Sequence, residues 1–466
     1  MVAIIITTTK SVYFTMTTNP LREQLDALKI EEISIATGYK QRSDSKLTLS
    51  GLIEGFINAY TKQQYTLEAW AMEMELLLDT NVDRQAIQAK FHDRHVEAVK
   101  TVMETALTQR LQEGMKTTMA SRKWSIFDSF KRVLIEDSTC QKVDASLALV
   151  FPTTNGGDGQ VAATMRIQVI YNLLAEAFVF FSVESYCDND QKAASNIFKV
   201  AEAGDLVLRD RGYWGISKLA DMTQKGISWL SLWQPGVSLL ETNTNTNINT
   251  KINLLELLRR TKDNVVDKNI LLGATEQLAV RLVALRLPEP VAAEKRRKAR
   301  LAAKKSQNHS DEYYELLGWN IFVTNVSAEI WTADQISYAY RVRWRIETIF
   351  KCWKSVFQLK AFALKTNVLP HRVYMSIYII LLLYALIFNI VFNYFNQAII
   401  QHHTTMGLPT ETCPKLSMMK MANITMQFFS KILYSSDWTE LVPIFYKFAA
   451  YQNPKYRPNF ETFLSY

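Results

Sequence analysis

The chain opens with a long helical texture. From about Leu21 to Glu113 apolar residues return every three or four positions, and no proline follows Pro20. That period predicts amphipathic helices. Within it, "NVDRQAIQAKFHD" reads either as a helix-turn-helix or as an ordinary bundle helix. The texture then changes. "KRVLIEDST", "SLALVF" and "ATMRIQVIYNLLAEAFVFFSVES" are β-rich, and the glycine-rich "TTNGGDGQ" between them predicts a turn. "DQKAASNIFKVAEA" predicts a helix, and "DLVLRDRGYW" a buried strand that ends on Asp210. Strands in a run, then a helix, then a strand suit an α/β domain with a mixed sheet.

Short β-like runs recur from about Ile227 to Leu287: "ISWLSL", "GVSLLE" and "LAVRLVALRL". The polar repeat "ETNTNTNINTK" interrupts them as a loop. "GWNIFVTN" is a further strand, and helical periodicity resumes at about Ala333. Val373–Phe395 is nearly apolar enough to span a bilayer. Ser376, Asn389 and Asn393 interrupt it and its flanks lack a basic and aromatic boundary, so the expectation is a buried core helix.

Composition adds a large core, with 48% hydrophobic residues, and room for two to four domains in 466 residues. The four cysteines form no CxxC pair, which argues against a zinc or disulfide framework and for a reducing, cytoplasmic setting. The start "MVAIIITTTKSVYFTM" lacks a basic n-region and is not read as a signal peptide; Met16 is a second candidate start. Net charge is +8, focused in two segments. "EKRRKARLAAKK", from Glu294 to Lys305, has seven basic residues (among them Lys295, Arg296, Arg297, Lys298 and Arg300) and one acid. "YRVRWRIETIFKCWKS", from Tyr340 to Ser355, has five and one. Focused positive charge suits a phosphate-bearing partner, although a solvated helix face gives the same pattern.

Three carboxylates stand out. Asp137 and Asp210 each end an apolar strand, where a charge is costly without a partner; a turn or helix-cap role would also explain them. Glu347 is the acid of the second basic segment. On a continuous helix at about 100° per residue, Tyr340, Arg343, Glu347 and Lys354 fall within about 60° of one another, with Trp344 beside them, while Arg341 and Arg345 point elsewhere. Three carboxylates suit hard divalent cations, and a pair of such ions can activate the attacking oxygen and stabilise the leaving one at a phosphodiester.

The spacing Tyr340-x2-Arg343-x3-Glu347-x6-Lys354, with "EDST" and "DRG" upstream, resembles the signature of the DDE transposases of bacterial insertion sequences, specifically the insertion-sequence-four family. The local match is similar to the transposase of transposon five. The resemblance implies an α/β fold: a ribonuclease-H-like core interrupted by a β-rich insertion domain and flanked by helical N- and C-terminal regions. The implied segments are a DNA-binding region 1–125, core 126–225, insertion 226–325, core 326–398 and a C-terminal dimerisation region 399–466. It implies catalytic and metal-binding roles for Asp137, Asp210 and Glu347, with two Mg2+ ions, or Mn2+, as cofactor. Inverted-repeat DNA ends and target DNA are the implied partners, with a homodimer, no membrane, and a nucleoid-associated bacterial setting. The implied reaction is cut-and-paste transposition through a DNA hairpin, with Tyr340 and Arg343 on the phosphate of a displaced base. Counting back from Tyr340 matches Trp319 to a tryptophan that stacks on that base; the alternative is a core tryptophan on a strand. A nuclease of the same core, and a decayed or domesticated copy that only binds DNA, are the competing readings.

Overall fold

In a computed structural model the described residues are 19–40, 46–121, 125–153, 162–187, 190–242, 249–303, 309–359, 361, 368–409 and 412–451. Met16, most of "TTNGGDGQ", the middle of the polar repeat, Lys304 and Lys305, and the end of the C-terminal region lie outside them. The chain folds as two compact units interleaved in sequence. Among the described residues, one holds those up to Arg110, Gln141–Thr164 and 349–451. The other holds Leu111–Cys140 and Met165–Thr348.

The first unit is helical. Asn19 caps its first helix, Pro20–Ala27, by accepting from the backbone N–H groups of Leu21 and Arg22. The same side chain donates to the carbonyls of Ile432, Leu433 and Ser435, which ties the start of the unit to its end. The stretch "NVDRQAIQAKFHD" yields only the five-residue helix Arg84–Gln88, capped by Asp83, before Asp93–Ser121 begins. The apolar run forms Pro370–Leu386, buried on nearly every side and packed on the helix Leu49–Thr61. A π-helical turn, Ile387–Val391, leads on to Phe392–Thr405. Among the described residues no helix is long and apolar enough to cross a membrane.

The second unit is built on a sheet of ten strands: β1 (Val133–Val143), β2 (Ala163–Asn172), β3 (Ala177–Ser185), β4 (Leu206–Arg209), β5 (Ser228–Leu232), β6 (Leu239–Thr242), β7 (Asn249–Lys251), β8 (Val265–Leu272), β9 (Leu278–Arg286) and β10 (Trp319–Thr324). Their order is β3-β2-β1-β4-β5-β10-β9-β8-β6-β7. β1, β4 and β5 run parallel. β10 continues the sheet antiparallel to β5, and β9, β8, β6 and β7 extend it antiparallel. The chain is thus a mixed α/β protein with a large central sheet and helical N- and C-terminal regions.

Strand alternation divides the side chains between two faces. Leu134, Val207, Trp229, Leu282, Ile321 and Val323 share one core cluster on the first face. Ile135, Leu208, Leu230, Val283 and Phe322 are buried on the second. There Phe322 meets Tyr340, from the helix Ala333–Arg341, with ring centroids 5.4 Å apart.

Several elements differ from the sequence pattern: β7 forms at the end of the polar repeat expected to be a loop, and β8 lies in a stretch where no strand was expected. "SLALVF" forms a 3-10 turn, Ala145–Leu147, capped by Asp144, in place of a strand. "DQKAASNIFKVAEA" gives two short pieces, Asp190–Ala193 and the 3-10 segment Asn196–Lys199, in place of one helix; Ser195 and Asn196 at its centre are poor helix-interior residues. β1 runs six residues past Asp137, so that aspartate sits mid-strand and does not end it.

Candidate active site

The β1–β4 register pairs Glu136 with Arg209. The next residue of each strand is an aspartate, so Asp137 and Asp210 follow side by side on the second face. Asp137 accepts the backbone N–H of Ser138 at 2.8 Å. Asp210 leaves β4 in an extended conformation and stands at the N-cap of the 3-10 turn Arg211–Tyr213. Its side chain makes no cap bond there, so a capping role does not account for it.

Glu347 arrives on the helix Trp344–Ser355. The expected continuous helix is broken: Ala333–Arg341 ends, and Val342 and Arg343 form a turn before the next helix begins. Tight i-to-i+3 bonds, Arg343 N–H to Tyr340 and Ile346 N–H to Arg343, carry the chain through it. The calculated arc therefore does not apply across the break. Arg343 nevertheless reaches Glu347 Oε1 with Nη2 at 2.8 Å, and Asp137 Oδ2 with Nη1 at 2.7 Å. Arg343 is only 6% exposed, and its guanidinium is the shared counter-ion of two carboxylates.

The electrostatics place the third carboxylate in range. Burial pushes the Asp137 carboxyl up to about 6. Arg343 and the Ser138 N–H oppose this, while Asp210 and Glu347 add to it through like-charge repulsion. Burial works against the charge on Arg343, but Tyr340 and the three carboxylates outweigh it and hold its pKa above the ordinary value. Tyr340 is raised by burial, and its hydroxyl donates to the Arg209 carbonyl at 3.3 Å. Asp137, Asp210 and Glu347 carry the hard carboxylate oxygens that Mg2+ or Mn2+ takes, so their chemistry suits such an ion. With Arg343 between Asp137 and Glu347, no three His, Cys, Asp or Glu side chains among the described residues are grouped to hold one.

The other expected site residues are spread more widely. Trp344 is 54% exposed beside Arg343. Lys354 is exposed on the later turns of the same helix, in the part that belongs to the helical unit. Trp319 is buried in the core cluster of the first face, with Arg286 stacked 4.6 Å over its ring. Its strand neighbour Asn320 faces the other way and accepts from Lys295 at 2.8 Å. Trp319 is thus a core tryptophan here, on the sheet face opposite the carboxylates, because alternation sends it to Ile321's side. In the basic helix Glu289–Ala302, Arg296 binds Glu289 and the Tyr314 carbonyl, Arg297 and Lys298 pair with Glu294, and Arg300 stacks on Tyr314.

A model of the transposase DDE domain matches residues 128–386, more than half of the chain, with Asp137, Asp210 and Glu347 all inside the match. The chain belongs to the transposase DDE domain family. Curated relatives agree. The chain is 28% identical over 301 residues to the transposase for insertion sequence element IS231E of Bacillus thuringiensis subsp. finitimus, covering 62% of each chain. It is 27% identical over 347 residues to that of IS231B from Bacillus thuringiensis subsp. berliner, covering 71% of this chain and 70% of the relative. To that of IS1151 from Clostridium perfringens it is 24% identical over 360 residues, covering 73% of each. The chain spans about six tenths of the length of the IS231E relative it matches.

Sequence reasoning passed over the residues around the carboxylates. Glu136 and Arg209, each just before a site aspartate, form a buried ion pair at 2.7 Å. The signal was present: "IED" and "LRD" each put a second charge into an apolar strand, and the two charges are opposite.

Proposed function

We propose that the chain is a metal-dependent DNA transposase of the insertion-sequence-four type, acting at inverted-repeat ends by cutting and joining strands. The observation that carries this reading is the double pairing of Arg343, which draws Glu347 to Asp137 beside Asp210. On this reading β1–β4 belong to the ribonuclease-H-like core, and β5–β10 with the basic helix to its insertion. The corresponding segments are 1–125, 126–225, 226–325, 326–398 and 399–466.

Asp137, Asp210 and Glu347 would hold one or two Mg2+ or Mn2+ ions. Such ions supply Lewis-acid stabilisation to the attacking and leaving oxygens of a phosphodiester. The protein's own residues do the rest. Arg343 and Tyr340 bind the phosphate next to the scissile bond, and Lys354 holds one farther along. Trp344, exposed beside Arg343, offers a ring for an unstacked base, a stacking interaction worth about 1–3 kcal/mol. For Trp319 to take the expected stacking part, its buried ring would have to be uncovered. Water releases a 3′-hydroxyl, which attacks the opposite strand to give a hairpin; after reopening, the 3′ end joins target DNA. A homodimer would hold the two ends together, associated with the nucleoid and without a membrane.

Asp137→Asn and Glu347→Gln test the assignment. Each is expected to abolish Mg2+-dependent cleavage of labelled element-end DNA while gel-shift binding to the same DNA stays near that of the native chain. Normal cleavage by either variant would remove the assignment.

A further inference from the structure

Behind the site aspartates lies a buried polar layer on the first face of the sheet. Glu136 and Arg209 stand opposite each other and ion-pair at 2.7 Å, both at most 2% exposed. Arg209 also donates to the Ala194 carbonyl at 2.6 Å. One further carboxylate gathers the neighbouring strands. Asp190 Oδ1 accepts from the Ser138 hydroxyl at 2.9 Å, from Arg166 at 2.7 Å and from Gln168 at 3.3 Å. Its other oxygen, Oδ2, lies beside Gly212, where an added Cβ would come within 2.7 Å of it. Tyr213 closes the layer by donating to Gln168 at 2.5 Å.

The positions of these partners are informative. Ser138 directly follows Asp137, and Gly212 is two residues past Asp210. One carboxylate therefore touches the backbone neighbourhoods of both site aspartates, from the face they do not occupy. We propose that Asp190 is a positioning residue that sets the separation of Asp137 and Asp210, and that Gly212 is glycine so that the turn carrying Asp210 can close on it. The inference rests on the metal-dependent reading above. Its physical basis is the charge and acceptor capacity of Asp190: an ionised carboxylate is acceptor-only on both oxygens, whereas an amide of the same shape is neutral and turns one of those oxygens into a donor. Arg166, whose side chain is 8% exposed, would then lose its anionic partner.

The test is Mn2+ alone titrated into the full-length protein, with free Mn2+ read by electron paramagnetic resonance and the melting temperature taken on the same samples. Asp190→Asn is expected to weaken Mn2+ binding by about 10- to 100-fold, the usual cost of losing an outer-shell partner of a metal site. Gly212→Ala, which pushes Asp190 from the other side, is expected to weaken it in the same direction. A folded Asp190→Asn protein that binds Mn2+ as tightly as the native chain overturns the proposal, as does one whose only change is a lower melting temperature. If Asp190→Asn does not fold, Gly212→Ala decides alone by the same criterion. Asp137→Asn is the control: if it binds Mn2+ like the native chain, or the native chain binds none, the metal-site reading itself fails.

Discussion

Arg343 shows how a single residue can organise several others. A guanidinium that is 6% exposed must have its charge met, and it is met by Asp137 and Glu347 together. Removing one partner would leave the other charge poorly compensated, which is why such pairs are costly to break singly. His95, in the helical unit, presents the opposite case. Its Nδ1 lies 2.9 Å from the Lys90 carbonyl, and its ring packs on His92 and Tyr39. Burial is the first cause that holds it down to about 4; His92, Lys90 and Arg94 add to this, and the Lys90 carbonyl opposes it. An unfolded histidine takes a proton as pH falls through about 6.5, but the folded one waits until about 4. The unfolded state binds more protons in that window, so stability should fall as pH drops across it. Thermal melts at pH 7 and pH 4.5 are expected to show that loss, and His95→Gln to reduce it. Equal losses in both proteins would exclude His95 as a source.

Among elements, one close approach lies in the helical unit. Leu49–Thr61 carries Gly51 and Gly55 one turn apart, toward Leu67–Leu78. A Cβ at Gly55 would meet Met74 Cγ at 2.5 Å and the Met74 backbone nitrogen at 3.2 Å; at Gly51 it would meet Leu78 at 2.9 Å. A side chain can move aside, but backbone nitrogen cannot without shifting the helix. Gly55→Ala should therefore cost about 1–3 kcal/mol, the usual penalty of overpacking. Urea unfolding would measure it, and an unchanged midpoint would mean the helices are free to separate. In the sheet unit the informative element is the turn at Val342 and Arg343. It ends one helix on Tyr340 and Arg341 and starts the next at Trp344, so Tyr340 can reach the Arg209 carbonyl while Glu347 stays one helical turn beyond Arg343.

At the level of the whole molecule, charge is the property that concerns a DNA partner. The excess is +8, yet much of the basic helix is already engaged. Lys295 and Arg296 are turned onto Asn320 and Tyr314, while Arg297 and Lys298 share Glu294 at the surface. Among the described residues of this helix, Arg297, Lys298 and Arg300 are the exposed basic residues that a phosphate could reach. Replacing all three with glutamine should weaken DNA binding and flatten its dependence on salt, by up to about 0.9 in the log–log slope for each phosphate no longer neutralised. A slope unchanged from the native chain would mean that this helix faces solvent and takes no part.

Residue types and spacing singled out Asp137, Asp210 and Glu347 as candidates, and the fold joins Glu347 to Asp137 through Arg343. Most strands were legible from their local apolar runs, but β7, at the end of the polar repeat, and β8 were not. The buried helix at Pro370–Leu386 was legible from its apolar run, interrupted by Ser376. Only the tertiary structure decided that Asp137 sits mid-strand, that the helix before Glu347 is broken, that Trp319 belongs to the core and that the basic helix is half engaged with its own fold. It also decided that Glu136 meets Arg209 and that Asp190 meets Ser138 and Gly212. The physical reason is common to all of these. Each depends on which strands lie side by side and in what register, and parallel pairing between β1 and β4 joins segments far apart in the chain. No local period encodes that choice; it is made by the packing that buries both faces of the sheet at once.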